Sequence, residues 1–382
     1  MYSREIEQAF EDRKAKLREW VNEHPLRQIQ WEATRCCDMQ CLHCGSDCTL
    51  SDDDYELTES EIVGAFESIA SHYDASSLEL LSITGGEPLL RNDLPNIIRR
   101  LQALGFSHIT IQTNGNKLND DPHLLPALVD AGISGLGLNL DGLRNSHNRL
   151  RRRKGHFENM CRLARRVLQE TALYQTITTV VSRLNLEDLP HLAKVLSDLG
   201  VPRWRLIELQ PMGRAHMADA SYLNPEDFRR LVGFVKEINL ESSHPSRLSL
   251  PAVELGCTGW FGTELEGIVR PYIWHCHAGI STLGIWSNGD IGGCTDIDHR
   301  RSEGNVRTDS ILEVWQNRFD QYRDWDSRRT GECRTCDQRP WCHGGALHLR
   351  TEENELSHCP YLLLHGNRQE ERAPCRTGEA VK

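Results

Sequence analysis

Apolar residues recur along this chain in two rhythms. Residues 3–22 carry Ile6, Phe10, Leu17 and Val21 on one stripe of an otherwise charged segment. That stripe predicts an amphipathic helix packed on the main domain. From Gln28 onward, short apolar runs alternate with helical ones. Strands are predicted at 29–33, 78–84, 108–112, 135–140, 174–181 and 204–209. One helix starts at Thr58, with Glu61 completing a capping box and Ile62, Phe66 and Ile69 on its inner face. A second starts near Asp93 with Pro95 in its first turn, and a third occupies 121–131. A fourth covers 157–169, where Cys161 reads as a core residue. A fifth runs 187–199 and stops at Gly200, and a sixth begins at Asn224 with Pro225 at its first helical position.

Six strand–helix units in succession imply an α/β fold with a parallel sheet and right-handed crossovers. A closed eight-unit barrel needs two more, so six leave a partial barrel open on one side. The 382 residues suffice for about two to three domains with a core that needs no staples. The expected division is an N-terminal helix (1–28), the barrel (29–230), a bridging segment (231–270), a small cysteine-rich α+β domain (271–365) and a polar tail (366–382).

Charge and cysteine usage narrow the partners. Lys+Arg number 44 against 55 Asp+Glu, a net charge of −11, whereas a general nucleic-acid binder carries a basic excess. No run of about 18 apolar residues exists and the N-terminus has no apolar signal core, so no membrane partner is expected. The 14 cysteines cluster with metal-like spacings, which suits a reducing cytoplasm better than disulfides.

The most informative stretch is 36–48. It contains Cys37-x3-Cys41-x2-Cys44. Three thiolates so spaced on one tight loop can hold three irons of a [4Fe–4S] cube and leave the fourth iron open to a substrate or cofactor. A zinc knuckle is the alternative; it favours Cys-x2-Cys pairs and a fourth ligand, which Cys36 or Cys48 could supply. Thr84-Gly85-Gly86-Glu87-Pro88 follows the second strand, where two glycines permit close approach of backbone and Glu87 offers a carboxylate. Thr113-Asn114-Gly115 ends the third strand and Asn139-Leu140-Asp141-Gly142 the fourth. His147 and Arg151 follow, then Gly155-His156-Phe157, and Gln210-Pro211-Met212-Gly213-Arg214 closes the sixth strand.

This succession resembles the radical S-adenosylmethionine (SAM) superfamily over residues 29–230. The resemblance implies a partial (β/α)6 barrel of the radical SAM type, with a [4Fe–4S] cluster on Cys37, Cys41 and Cys44 and SAM chelating its open iron. It further implies reductive cleavage of SAM to methionine and a 5′-deoxyadenosyl radical. By the same resemblance Gly85, Gly86 and Glu87 belong to the segment that binds the SAM ammonium. Asn114 and Asn139 lie in neighbouring cofactor segments; many relatives have serine where Asn139 stands. Arg151 pairs with the SAM carboxylate, as an arginine fork suits, and Gln210 lies near the adenosine. The basic run 149–154 has a rival reading as an RNA patch, which the net acidity disfavours.

Near the C-terminus, Cys276-x12-Gly289-x4-Cys294, then Cys333-x2-Cys336-x5-Cys342, then Cys359 resemble the SPASM extension with its auxiliary [4Fe–4S] clusters. Cys333, Cys336, Cys342 and Cys359 would hold one. Cys276 and Cys294, with Cys257 as a candidate third ligand, would belong to the other. Relatives have a further cysteine where this chain has Ala346, so one or two auxiliary clusters are expected. The incomplete one would lack a protein ligand, take His343 or His348, or be absent. Zinc also suits these thiolates. Cys36, Cys48 and Cys375 are read as non-ligands.

The function expected from the resemblance is a radical SAM oxidoreductase that oxidatively modifies a peptide or protein, forming a crosslink or a formylglycine. Its electron donor would be a low-potential flavodoxin or ferredoxin. Asp296 and Asp298, just after Cys294, are the candidate bases. The alternatives are a small-molecule enzyme acting on a haem precursor or sugar, and a non-catalytic metal-binding scaffold. About 28 residues before the barrel are too few for a peptide-recognition domain, so the N-terminal helix or a separate protein would read any leader.

Overall fold

The computed structural model describes residues 4–46, 48, 56–217, 221–242, 250–351 and 353–366. Cys375 and all but the first residue of the expected tail lie outside the described residues, as does the side chain of Ile6. The six apolar runs form β1 (Gln28–Glu32), β2 (Leu80–Thr84), β3 (Ile109–Gln112), β4 (Gly135–Asn139), β5 (Tyr174–Val181) and β6 (Arg203–Glu208). They lie side by side in sequence order, every pair parallel. Two more parallel strands flank them: β7 (Ala252–Leu255) beside β6, and β8 (Thr282–Ile285) beside β1. The row thus has the strand number of a closed barrel, yet β7 and β8 are not neighbours. The reason is local. After β8 the chain reverses through Gly289 (φ +91°) into β9 (Asp290–Gly292), which pairs antiparallel with β8 and occupies the edge that closure would need. Short β10 (Gly304–Asn305) pairs with β9. The expected bridging and cysteine-rich segments each supply one strand to the parallel row.

Helix α1 (Arg4–Glu23) precedes β1, and helices fill the crossovers: α2 (Glu59–Ala70), α3 (Leu94–Ala103), α4 (Asn116–Asp120), α5 (Leu124–Ala131), α6 (Arg144–Leu150), α7 (His156–Glu170), α8 (Leu189–Leu199) and α9 (Pro225–Ser242). The Thr58–Glu61 capping box forms, and α8 ends on Gly200 in the left-handed region. One predicted helix, 121–131, begins three residues late, and α4 precedes it as a separate turn. Pro122 forces Asp121 into extended backbone and so separates the two. Among the described residues no helix is long and apolar enough to cross a membrane.

Strand register sorts the side chains into two faces. Ile29, Trp31, Leu81, Ile83, Ile109, Ile111, Leu138, Ile177 and Trp204 share one face and are buried. They belong to a single core with helix residues such as Ile62, Ile97, Leu128 and Leu163. The opposite face carries Gln30, Ser82, Thr110, Gln112, Asn139, Thr178, Arg205 and Glu254. A (β/α) barrel usually fills that face with branched aliphatics; here it is polar and, for the most part, only partly covered. Helix α1 packs on the C-terminal part of the chain: Phe10 meets Trp260 and Trp341 edge-on, and Arg13 bonds His275.

Candidate functional site

The cysteine loop leaves the C-terminal end of β1. Cys37, Met39, Cys41 and Cys48 are buried together, with Cys44 against them. Gly85 and Gly86 lie directly beneath the start of this loop. A β-carbon on Gly85, whose φ is +139°, would meet the Thr34 carbonyl oxygen at 2.3 Å. The amide of Gly86 donates to Thr34 O (2.7 Å) and that of Glu87 to Cys36 O (2.8 Å). The close approach that the glycines permit is therefore to the loop's own backbone. Glu87 is fully buried and accepts from Thr113 Oγ1 (2.7 Å), Asn114 N (2.7 Å) and Leu89 N (3.1 Å). Burial pushes its carboxyl up to about 7, and those three donors hold it from rising further. It thus ties the β2 and β3 ends together.

Asn114 turns its amide to Asp38 (2.7 Å) and to Cys37 Sγ (4.0 Å), and Asn116 bonds the other oxygen of Asp38 (2.8 Å). Arg151 sends Nη1 to Cys41 Sγ (3.8 Å) and Nε to Asp141 (2.5 Å). Asp141 also pairs with His43 (3.2 Å). Burial alone would raise the Asp141 carboxyl; Arg151 and His43 outweigh it and hold the group well below the usual carboxylate range. Behind this pair stands a file of imidazoles. The Asp141 amide donates to His147 Nδ1 (2.9 Å), His147 Nε2 meets His156 Nδ1 (2.7 Å), and His156 Nε2 meets Asn114 O (3.0 Å). The first donor fixes His147 as the Nε2–H tautomer and the last acceptor fixes His156 likewise. Burial lowers their pKa values to about 3 and about 4, so both are neutral.

Arg214 laces the other side of the loop. Its Nε reaches Cys41 O (3.2 Å), its Nη1 Cys48 O (2.6 Å), and its amide Cys44 O (2.9 Å). Neighbouring Gly213 has φ +50°, and a β-carbon there would meet Gly45 O at 2.4 Å. The motifs around them give no role to Arg214, Asp141, His43 or the two imidazoles, because each acts through a neighbour outside its own motif. A hydrogen bond from the Cys48 thiol pulls Cys44 down to about 5 against the opposing effect of burial, and Arg214 helps.

These residues fit the expected cluster and cofactor. Three thiols share one loop, with an amide and a guanidinium aimed at two of the sulfurs, as thiolate ligands require. Gln210, past the end of β6, keeps a buried Nε2 with no protein partner while its Oε1 bonds His348 Nε2 (2.9 Å). Asn139 ends β4 on the polar face beside Thr178. Among the described residues no three His, Cys, Asp or Glu side chains are already drawn together as ligands of one ion.

The C-terminal thiols form two groups. Cys333, Cys336, Cys342 and Cys359 stand close enough to feel one another's charge, and Arg350 Nη2 lies 3.2 Å from Cys333 Sγ. Cys257, Cys276 and Cys294 form the other. Cys257 is exposed by area, yet burial, with Cys276 beside it, pushes its thiol up to about 12. Cys294 Sγ contacts Gln30 Oε1 at 3.1 Å, and Thr295 N and Oγ1 bond the same oxygen. Gln30 lies on the polar face of β1, the strand that leads into Cys37–Cys44. Buried Arg328 feels both Cys276 and Cys342 and so sits between the groups. Asp296 Oδ2 is 3.8 Å from Cys294 Sγ. Asp298 instead caps a turn and is bonded to Arg300 (2.6 Å), so of the two candidate bases only Asp296 stands beside the thiols. His348 faces Gln210 and feels Asp296, whereas His343 stacks on Trp325 with its Nε2 buried and unpartnered.

A radical SAM superfamily model matches residues 31–196, and a model for the iron-sulfur cluster-binding domain called SPASM matches 276–337. An AdoMet-dependent heme synthase of Methanosarcina barkeri is 28% identical over 335 residues, which is 83% of this chain and 90% of the relative. A second, from Oleidesulfovibrio alaskensis, is 25% identical over 83% of this chain and 82% of its own. Among solved structures, Streptococcus suis SuiB bound to S-adenosylmethionine superposes with a TM-score of 0.65 at 18% identity, over 85% of this chain and 74% of that one. The structure of anSMEcpe with bound AdoMet and a Cp18Cys peptide gives 0.66 at 16% identity, over 85% and 90%. At such identities these two likenesses concern the fold alone.

Proposed function

Because this chain is a radical SAM enzyme with a C-terminal SPASM iron–sulfur domain, we propose that it oxidises a peptide or protein substrate, in the manner of a crosslink-forming or formylglycine-type maturase. The observation that carries this reading is the polar sheet face, whose Gln30 on β1 meets Cys294. Gln30, Ser82, Thr110, Gln112 and Thr178 offer amide and hydroxyl groups of the kind that pair with an extended peptide backbone, and the row is open between β7 and β8. A flat apolar ligand would call for largely apolar walls.

When bound by Cys37, Cys41 and Cys44, the [4Fe–4S] cluster supplies the electron that cleaves SAM to methionine and a 5′-deoxyadenosyl radical. Asn114 and Arg151 donate toward the thiolates, and Gln210 offers its free Nε2 to the cofactor. Gly85, Gly86 and Glu87 would hold the segment that takes the SAM ammonium, and Arg151, braced by Asp141, would pair with the SAM carboxylate. Cys257, Cys276 and Cys294 would hold a metal centre able to accept the electron that a substrate radical must lose, and Asp296, 3.8 Å from Cys294 Sγ, would take up the accompanying proton. The electron donor is a low-potential flavodoxin or ferredoxin. The setting is a reducing cytoplasm.

The test is anaerobic turnover of reconstituted enzyme with SAM and a short peptide encoded beside it. A two-hydrogen mass loss in the peptide, matched by 5′-deoxyadenosine, is expected. Asp296→Asn should still release 5′-deoxyadenosine while losing modified product; a full product rate in that variant removes the base assignment. One observation favours a second reading, oxidation of a haem precursor: the heme synthases match along 82–90% of their length. Change in an iron porphyrin carrying propionates, with no change in any peptide, would replace the first reading by the second.

A further inference from the structure

We propose that the outer face of the cysteine loop, together with the basic run 149–154, is the docking surface of an acidic protein that carries single electrons. The inference rests on the radical SAM reading above and names the partner of that same site.

The run is anomalous in this chain. Net charge is −11, yet five of the six residues from Arg149 to Lys154 are basic and none is acidic. Arg151 turns inward to Asp141 and Cys41. Arg149, Arg152, Arg153 and Lys154 are exposed. The run is fastened to the cysteine loop, since the Leu42 amide donates to Leu150 O (2.9 Å). Where the two meet, a cleft of about 330 Å³ opens between Asp38, Met39 and Gln40 on one side and Arg151, Arg152 and Arg153 on the other. Asp38 offsets one of these charges: it pairs with Arg153 at 3.9 Å, while Asn114 and Asn116 hold its oxygens, and Arg149, Arg152 and Lys154 are the rest of the exposed cations of the run. The loop itself shows Gln40 and Leu42 outward, and Leu42, at 37% exposure, is one of the few large apolar side chains left in solvent among the described residues. Arg152 keeps a positive φ of 53°, a conformation that a long side chain seldom holds.

An exposed leucine on the outside of the loop that holds the cluster ligands, tied through one hydrogen bond to a run of exposed cations, suits a protein whose redox group is rimmed by carboxylates. The transfer moves one electron from the reduced carrier to the metal held by Cys37, Cys41 and Cys44; no atom or proton changes hands. The rest of this acidic chain would repel such a carrier, so complementary charge at one face sets both where it lands and how fast. That advantage fades as salt shortens the Debye length.

The experiment compares two reductants on holoenzyme: reduced flavodoxin, and photoreduced deazaflavin as a small uncharged control. SAM cleavage is followed as 5′-deoxyadenosine from low to high ionic strength. The variant is Arg152→Glu/Arg153→Glu/Lys154→Glu, with iron content and circular dichroism confirming the fold. Direct binding of flavodoxin is measured in parallel. The expected result is unchanged cleavage with deazaflavin, a drop of about tenfold or more in kcat/KM for flavodoxin, weaker flavodoxin binding, and loss of the salt dependence. Equal flavodoxin rates in variant and wild type would overturn the proposal, as would equal losses with both reductants. Lost RNA binding with unchanged flavodoxin turnover would assign the run to nucleic acid and overturn it too. Wild type that cleaves no SAM with deazaflavin would refute the radical SAM reading itself, a failure distinct from all of these.

Discussion

A β-carbon on Gly86 would stand 2.2 Å from the carbonyl oxygen of Cys36. The second strand's turn and the cysteine loop are in contact backbone to backbone, and neither can retreat, since Gly86 N and Glu87 N hydrogen-bond across the contact. Gly86→Ala should therefore lift the loop, at a cost of about 1–3 kcal/mol in stability, and empty the site at Cys37, Cys41 and Cys44. Anaerobic iron and sulfide counts should fall by about four irons relative to wild type, with the C-terminal clusters retained. Full iron content would mean that the loop adjusts.

Asp141 neutralises Arg151 and faces His43 in a site with almost no solvent. Asp141→Asn leaves a buried guanidinium uncompensated and should cost about 3–5 kcal/mol in chemical denaturation. Arg151→Met in the same background should recover part of that loss. A double variant no more stable than Asp141→Asn alone would show that the two residues are not energetically coupled.

His147 and His156 predict an acid-side loss of stability. In the unfolded chain each takes a proton near 6.5; in the fold they resist protonation until about 3 and about 4. Between those limits the unfolded state binds more protons, so stability falls as pH drops, approaching about 1.4 kcal/mol per pH unit for each imidazole. Glu87 acts oppositely. Its folded value of about 7 lies above its unfolded one, so it costs stability as pH rises from about 4.5 to 7. Urea midpoints at pH 7.5, 6.5 and 5.5 should drop less steeply in His156→Gln than in wild type. Equal slopes would show that His156 is protonated in the fold.

The two C-terminal thiol groups should load separately. Cys333→Ala/Cys336→Ala, which leaves two thiols in its group, and Cys276→Ala are each expected to lose about four irons, and their EPR difference spectra should not coincide. Loss of the same signal from both variants would mean a single cluster bridging the groups.

Much of the fold is legible in the sequence because it is local. Six strand positions fall within two residues of their predicted ends, since alternating burial writes itself into each short run, and the Thr58–Glu61 cap is a three-residue signal. The triple-cysteine loop and the Gly-Gly-Glu turn are legible for the same reason. β7 and β8 are not. Ala252–Leu255 and Thr282–Ile285 are four-residue runs with no helix following at the usual spacing, and what makes them strands is an exposed edge of β6 and of β1 far away in sequence. The Asp141–Arg151 pair, the Arg214 lacing and the Gln30–Cys294 contact are likewise products of proximity between distant segments. A motif shows that such residues are present but not which neighbour each will meet.

The pairing of Gln28 with Thr282 also has a temporal side. On a ribosome, β1 and the cysteine loop emerge early, but the strand that covers β1's other edge is some 250 residues away. At roughly 5–20 residues per second, that edge waits on the order of ten seconds or more before its partner exists. Until then the hydrogen-bonding groups of β1 are open to any passing strand, and three reactive thiols sit on a loop whose support is half built. Assembly factors that deliver iron and sulfide would therefore find a settled site only after most of the chain has been made, and truncated products would be the ones to aggregate or oxidise.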